Sequence, residues 1–154
     1  MKPIHPVWSF AFAMLLPTGA LAGPDRVSIL LGSEHFGATR AFQEVNPGVF
    51  FTWEEQVFDY SIGGFYNSYQ GFSALAAVGY NYEIAPEFEV GAFAGLAFYP
   101  GEGDQFSVSV GDMIPIGGLQ ARYRNAFAQF IPADGATVDS LLTFGLTFEL
   151  NSQD

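Results

Sequence analysis

The stretch Val138-Asp139-Ser140-Leu141-Leu142-Thr143-Phe144-Gly145-Leu146-Thr147-Phe148-Glu149-Leu150 alternates along its whole length. Val138, Ser140, Leu142, Phe144, Leu146, Phe148 and Leu150 fall on one face of an extended chain. Asp139, Leu141, Thr143, Gly145, Thr147 and Glu149 fall on the other, because successive strand side chains point to opposite sides. One greasy and one mixed face over about ten residues is the pattern with which a strand crosses a bilayer in a closed barrel. Seven earlier segments read as strands too, so the expected set is 26–34, 48–55, 58–66, 72–83, 88–98, 106–119, 124–131 and 138–150. In the fourth, Phe72, Ala74, Ala76, Val78, Tyr80 and Tyr82 oppose Ser73, Leu75, Ala77, Gly79, Asn81 and Glu83. In the fifth, Phe88, Val90, Ala92, Ala94, Leu96 and Phe98 oppose Glu89, Gly91, Phe93, Gly95 and Ala97, with aromatics toward the ends where interfacial belts lie.

Composition separates a membrane barrel from a soluble one. Aromatic residues make up 17% of the chain. Beyond Ala22 the only cations besides histidine are Arg26, Arg40, Arg122 and Arg124, against sixteen acidic residues. A soluble sheet would carry charge on its outer face. The expected fold is therefore all-β, an eight-stranded antiparallel transmembrane β-barrel with a small apolar interior pocket. The alternative is a soluble sandwich or lipocalin-like carrier, whose outer faces partners would have to cover. A net charge of −11 argues against a nucleic-acid partner. No cysteine is present, so there is neither a disulfide framework nor a thiolate nucleophile, and nothing resembles a zinc site. No metal and no cofactor are expected. Glu54, Glu55 and Asp59 read as a solvated charge group rather than a cation site.

Lys2, the apolar run Val7 to Leu16 and the small-x-small ending at Ala22 read as a secretory signal peptide, residues 1–22, too short to be a transmembrane helix. Cleavage after Ala22 removes His5 and Trp8 and leaves 23–154 as one barrel domain. The expected destination is the bacterial outer membrane, reached through the barrel-assembly machinery, with a monomer as product. If the chain starts and ends on the periplasmic side, connections 37–47, 67–71, 99–105 and 132–137 face outward. Those near 56–57, 84–87 and 120–123 are the short periplasmic turns.

This threading brings His35, the only histidine after Ala22, and Asn67-Ser68 to the same outer rim. A histidine can take a proton from an attacking hydroxyl, and a Ser or Asn can fix its tautomer or donate to a developing oxyanion. A rim histidine is also an ordinary solvated group, Ser and Asn are common turn residues, and no G-x-S-x-G elbow is present. On the inner faces lie Gly79, Gly91, Gly95 and Gly145, with Ala77 and Ala97. They either ease bending or open a slot, which Phe65, Leu75, Phe93 and Leu141 would line with apolar surface suited to an acyl chain.

His35-Phe36, Phe42-Gln43-Glu44-Val45-Asn46-Pro47-Gly48, Phe65-Tyr66-Asn67-Ser68-Tyr69, Ala77-Val78-Gly79-Tyr80, Ile114-Pro115-Ile116 and Phe130-Ile131-Pro132 follow one another in an order and spacing that resembles the lipid A palmitoyltransferase family of outer-membrane barrels. The likeness runs from about His35 to Phe148. It implies transfer of a palmitoyl-like chain from a phospholipid to lipid A, part of lipopolysaccharide, with His35 as catalytic histidine and Ser68 as the site's serine. Asn67 stands where the family has an acidic residue. Gly79 would form the floor of an acyl pocket walled by Phe65, Leu75, Ala77, Phe93 and Leu141. Pro47, Pro115 and Pro132 resemble the prolines that open lateral routes from the membrane, since proline removes a ladder donor. With cleavage after Ala22 the chain is expected to enter strand 1 directly, without the family's N-terminal amphipathic helix. The alternative function is a non-catalytic outer-membrane barrel that binds lipid or remodels the surface.

Overall fold

The computed structural model describes residues 23–133 and 137–150. The expected signal peptide, residues 1–22, lies outside them. The strands are β1 (Arg26–Phe36), β2 (Val45–Glu54), β3 (Asp59–Tyr66), β4 (Phe72–Ala85), β5 (Phe88–Phe98), β6 (Met113–Tyr123), β7 (Ala126–Pro132) and β8 (Ser140–Glu149). Each pairs antiparallel with its chain neighbours, and β8 returns to β1 from Arg26↔Glu149 to Phe36↔Ser140, closing the barrel. Closure pairs every strand on both sides over at least part of its length. The all-β, eight-stranded antiparallel barrel expected from the alternation is the observed architecture.

Alternation decides which side chains turn inward. Ser73, Gly79, Phe93, Ala97 and Thr147 are buried, whereas Val78, Tyr80, Tyr82, Phe144, Leu146 and Phe148 are exposed on the outer wall. β1 departs from strict alternation. Its register shifts against both neighbours between Leu30 and Gly32, so Arg26 and Leu30 are buried below the shift while Ser33 and His35 are buried above it. One extra residue in a strand reverses the faces of everything beyond it. Without the bulge His35 would point outward.

Only β5 keeps both expected ends; most other ends move by one or two residues, and three larger shifts bear on the site. The segment 106–111 alternates like a strand, yet it belongs to a long connection, 99–112, that includes a 3-10 turn at Gly103–Gln105. Asp112 organises this loop: its carboxylate accepts from the Gly101 and Gly103 N–H groups at 2.9 and 3.3 Å, and its carbonyl accepts from Tyr99 N–H at 2.8 Å. β6 therefore starts at Met113 and carries Gln120 and Arg122 inside the barrel instead of in a turn. The turn falls at Arg124-Asn125, with Arg124 in the left-handed region at φ 54°. β2 begins at Val45, which places Pro47 within the strand. The connections 55–58, 86–87 and 124–125 are short and share one end; 37–44, 67–71 and 99–112 share the other, where β7 ends and β8 begins.

Candidate functional site

A cavity of about 500 Å³, open at the surface, is lined by residues of all eight strands. His35, Ser68, Tyr69 and Phe106 line it at the long-loop end. Below them Leu30, Phe50, Phe65, Leu75, Ala77, Phe93, Ile114 and Leu141 form an apolar wall. Phe65, Leu75, Ala77, Gly79, Phe93 and Leu141, the residues selected from the sequence, all border it; Asn67 and Pro47 do not.

The apolar wall gives way to a polar floor of amides, through which the cavity lining continues to Asp59, Arg26 and Arg122. Thr143 Oγ1 donates to Gln129 Oε1 at 3.2 Å, Gln129 Nε2 to Gln120 Oε1 at 3.2 Å, and Gln120 Nε2 to Asn81 Oδ1 at 2.9 Å. Asn81 Nδ2 in turn donates to Asp59 Oδ2. A Cβ on Gly79 would point at this chain, 3.0 Å from Gln120 Nε2. The other inner glycines serve a different purpose. A Cβ on Gly91 would lie 2.0 Å from the Tyr80 carbonyl oxygen, one on Gly95 2.2 Å from that of Ala76, and one on Gly145 2.1 Å from that of Ile29. These three permit close strand approach, and of the four only Gly79 borders the cavity.

Beneath the floor, Glu54 Oε1 meets Arg26 Nε at 2.8 Å and Arg122 Nη1 at 3.0 Å. Arg122 also lies 3.3 Å from Asp59 and 2.7 Å from Glu89. Glu54, which remains exposed, and the half-buried Asp59 are thus both paired with arginines, and of the three acids read together only Glu55 stands apart. Lone charges are costly to remove from water, which is why the acids and arginines occur here together. Among the described residues no group of three His, Cys, Asp or Glu is arranged to hold a metal ion.

At the rim, His35 is 9% exposed and its Nδ1 has no hydrogen-bond partner. The imidazole is held by stacking: the Phe42 ring lies parallel, 4.5 Å away at 8°. Phe42 meets Tyr69 edge-on at 5.8 Å. His35 and Ser68 face the same cavity, and no direct hydrogen bond joins them. Asn67, 2% exposed, does not turn to His35. Its Oδ1 accepts from the N–H groups of Tyr69 and Gly71, both at 2.9 Å, and its Nδ2 donates to Ser73 Oγ at 2.8 Å. It shapes the 67–71 turn that carries Ser68.

Several rim residues escaped the sequence reading. Ser33, two places before His35 on the same inner face, donates to Asn46 Oδ1 at 2.6 Å, and Asn46 Nδ2 donates to the Tyr66 carbonyl at 3.1 Å. Tyr99 packs against Phe65, Tyr69 and Phe106. Burial, with a smaller contribution from Tyr69, pushes its hydroxyl well above the usual phenol range, so it stays protonated. Alternation could have shown that Ser33 and His35 share a face. Phe42, Tyr99 and Phe106 lie in loops, where no period marks a facing direction.

Pro115 and Pro132 flank the one long gap in the strand pairing. β6 pairs with β5 from Met113↔Phe98 to Tyr123↔Phe88, but with β7 only from Leu119↔Phe130 to Tyr123↔Ala126. The cavity reaches this seam through Pro115, Ile116, Gly117 and Pro132. Pro47 lies opposite the β1 bulge, where pairing passes from Leu30↔Gly48 to Gly32↔Val45.

No protein-family model matches the chain, and no curated protein matches it.

Proposed function

We propose that this protein is an outer-membrane acyltransferase that moves a palmitoyl-like chain from a phospholipid to a lipid A hydroxyl. The observation that carries this reading is the continuity between an apolar cavity, a rim bearing His35 and Ser68, and an unpaired seam between β6 and β7. The volume falls in the range of small-ligand pockets, about 300–1,000 Å³. An apolar wall lets an acyl chain leave the bilayer without meeting water, and the seam offers it a side entry.

The outer wall supports the membrane setting. Ile29, Val49, Ile62, Val78, Leu119 and Phe144 are exposed around the barrel. Phe36, Phe72 and Phe98 cluster toward the long-loop end, and Phe58, Tyr82 and Tyr123 toward the short-turn end. An apolar band between two aromatic girdles suits a bilayer, whereas soluble monomers rarely expose continuous apolar patches beyond a few hundred Å².

In this reading His35 takes the proton of the lipid A hydroxyl as its oxygen attacks the donor ester carbonyl. The Ser68 hydroxyl donates to the resulting oxyanion. Collapse breaks the ester C–O bond, and the imidazolium returns its proton to the departing lysophospholipid oxygen. Asn67 acts through the loop, as the positioning residue of Ser68. Gly79 and the Gln120-Asn81 pair mark the depth at which the slot turns from apolar to polar, where an acyl chain would stop. The resemblance to the palmitoyltransferase family points to the same chemistry.

A second reading, a non-catalytic barrel that binds lipid or remodels the surface, draws on the unpartnered Nδ1 of His35 and the full use of the Asn67 amide, which leave that nitrogen without a polar group to fix the tautomer. Refolded protein given phospholipid and lipid A distinguishes the two. Transfer that is lost in His35→Ala and falls about a hundredfold or more in Ser68→Ala supports the enzyme. A folded parent without transfer supports the second reading.

A further inference from the structure

We propose that Arg40 is an anion subsite at the cavity mouth, taking the phosphate-class headgroup of an acylated amphiphile whose tail lies in the cavity. The inference rests on the acyl-cavity reading above. Of the four arginines, Arg26, Arg122 and Arg124 each have a carboxylate within hydrogen-bond distance, and all three lie toward the short-turn end. Arg40 lies at the opposite end, and among the described residues it is the arginine with no carboxylate partner.

Its guanidinium is nevertheless held in place. Nη2 donates to Gln105 Oε1 at 2.9 Å, and Cζ sits 5.0 Å from the Phe42 ring centre and 5.2 Å from that of Tyr69. Gln105 and Tyr69 line the cavity, and Phe42 is the ring stacked on His35. Three loops, 37–44, 67–71 and 99–112, thus converge on one exposed cation, packed on the ring that stacks on His35. A guanidinium has five N–H donors in a rigid fork, and only one bond here goes to a side-chain acceptor. The rest of the fork matches the oxygens of a phosphate, which charge-assisted bonds would hold strongly. The chain as a whole carries −11 and repels anions, so an anionic amphiphile needs a local cation to dock.

The test uses refolded protein in a non-ionic amphipol, titrated by calorimetry with dodecyl phosphate, dodecyl maltoside and inorganic phosphate. The wild type is expected to bind dodecyl phosphate about tenfold tighter, or more, than dodecyl maltoside, with inorganic phosphate much weaker than either. Arg40→Gln, verified as folded by circular dichroism, should bring the two dodecyl affinities together while leaving that for the maltoside unchanged. Arg40→Lys should retain an intermediate preference, because a point charge lacks the fork. Equal wild-type affinity for both dodecyl compounds, a preference undiminished in Arg40→Gln, or inorganic phosphate binding as tightly as dodecyl phosphate would each overturn the subsite. Failure of the folded wild type to bind either dodecyl compound would instead overturn the acyl-cavity reading, and the subsite with it.

Discussion

The carboxamide of Asn67 accepts two backbone N–H groups and donates to one hydroxyl, all in a position that is 2% exposed. An unsatisfied group there costs about 1–3 kcal/mol. Asn67→Ala is therefore expected to destabilise the barrel by about 2 kcal/mol and to loosen the Ser68 turn. Asn67→Asp keeps the accepting oxygen, and the Ser73 hydroxyl can rotate to donate to the second, so its urea unfolding midpoint should match the parent's. The comparison is made by denaturant titration followed by circular dichroism; a neutral Asn67→Ala, or an Asn67→Asp as unstable as it, would contradict this role. The sequence placed His35 and Ser68 at one end of the barrel because strand counting fixes height. It could not show Asn67 turned away from the imidazole, since a side-chain amide's choice of partners leaves no periodic trace.

Between elements, the informative feature is the seam above Leu119↔Phe130, where β6 and β7 separate while each stays paired on its other side. Pro115 and Pro132 lack N–H donors, so neither can contribute one to close it. The double variant Pro115→Ala, Pro132→Ala restores two donors. It is expected to raise thermal stability slightly and to slow transfer several-fold, with His35 and Ser68 untouched; an unchanged rate alongside a stabilised barrel would rule out the seam as the substrate route. Most strand positions were legible because the segments other than the first and the sixth alternate where they pair. The sixth misled: Phe106-Ser107-Val108-Ser109-Val110 alternates, yet Val108 and Val110 are 66% and 85% exposed in a loop held by Asp112. That displacement hid the inward faces of Gln120 and Arg122, and with them the polar floor. The β1 bulge was equally hidden, because an inserted residue such as Leu31 looks like any other apolar strand position.

Across the whole molecule, polarity is arranged in layers: a rim with a histidine and a fixed arginine, an apolar chamber, a floor of amides, and an ion network beneath it. Around all of these runs an exposed apolar wall. A barrel of this kind is expected in the detergent-extracted outer-membrane fraction, with migration on gels that changes on heating, because strand pairing closed through β1 and β8 resists unfolding. Recovery of a soluble monomer from the periplasm would show that the wall does not face lipid. The central claim is chemical, and the direct measurement is mass spectrometry of lipid A after incubation with the refolded protein and a phospholipid bearing a labelled palmitoyl chain. Lipid A carrying one added labelled acyl group is expected with the parent protein, and none with folded His35→Ala. Unmodified lipid A with the folded parent, or equal labelling by His35→Ala, would contradict the claim.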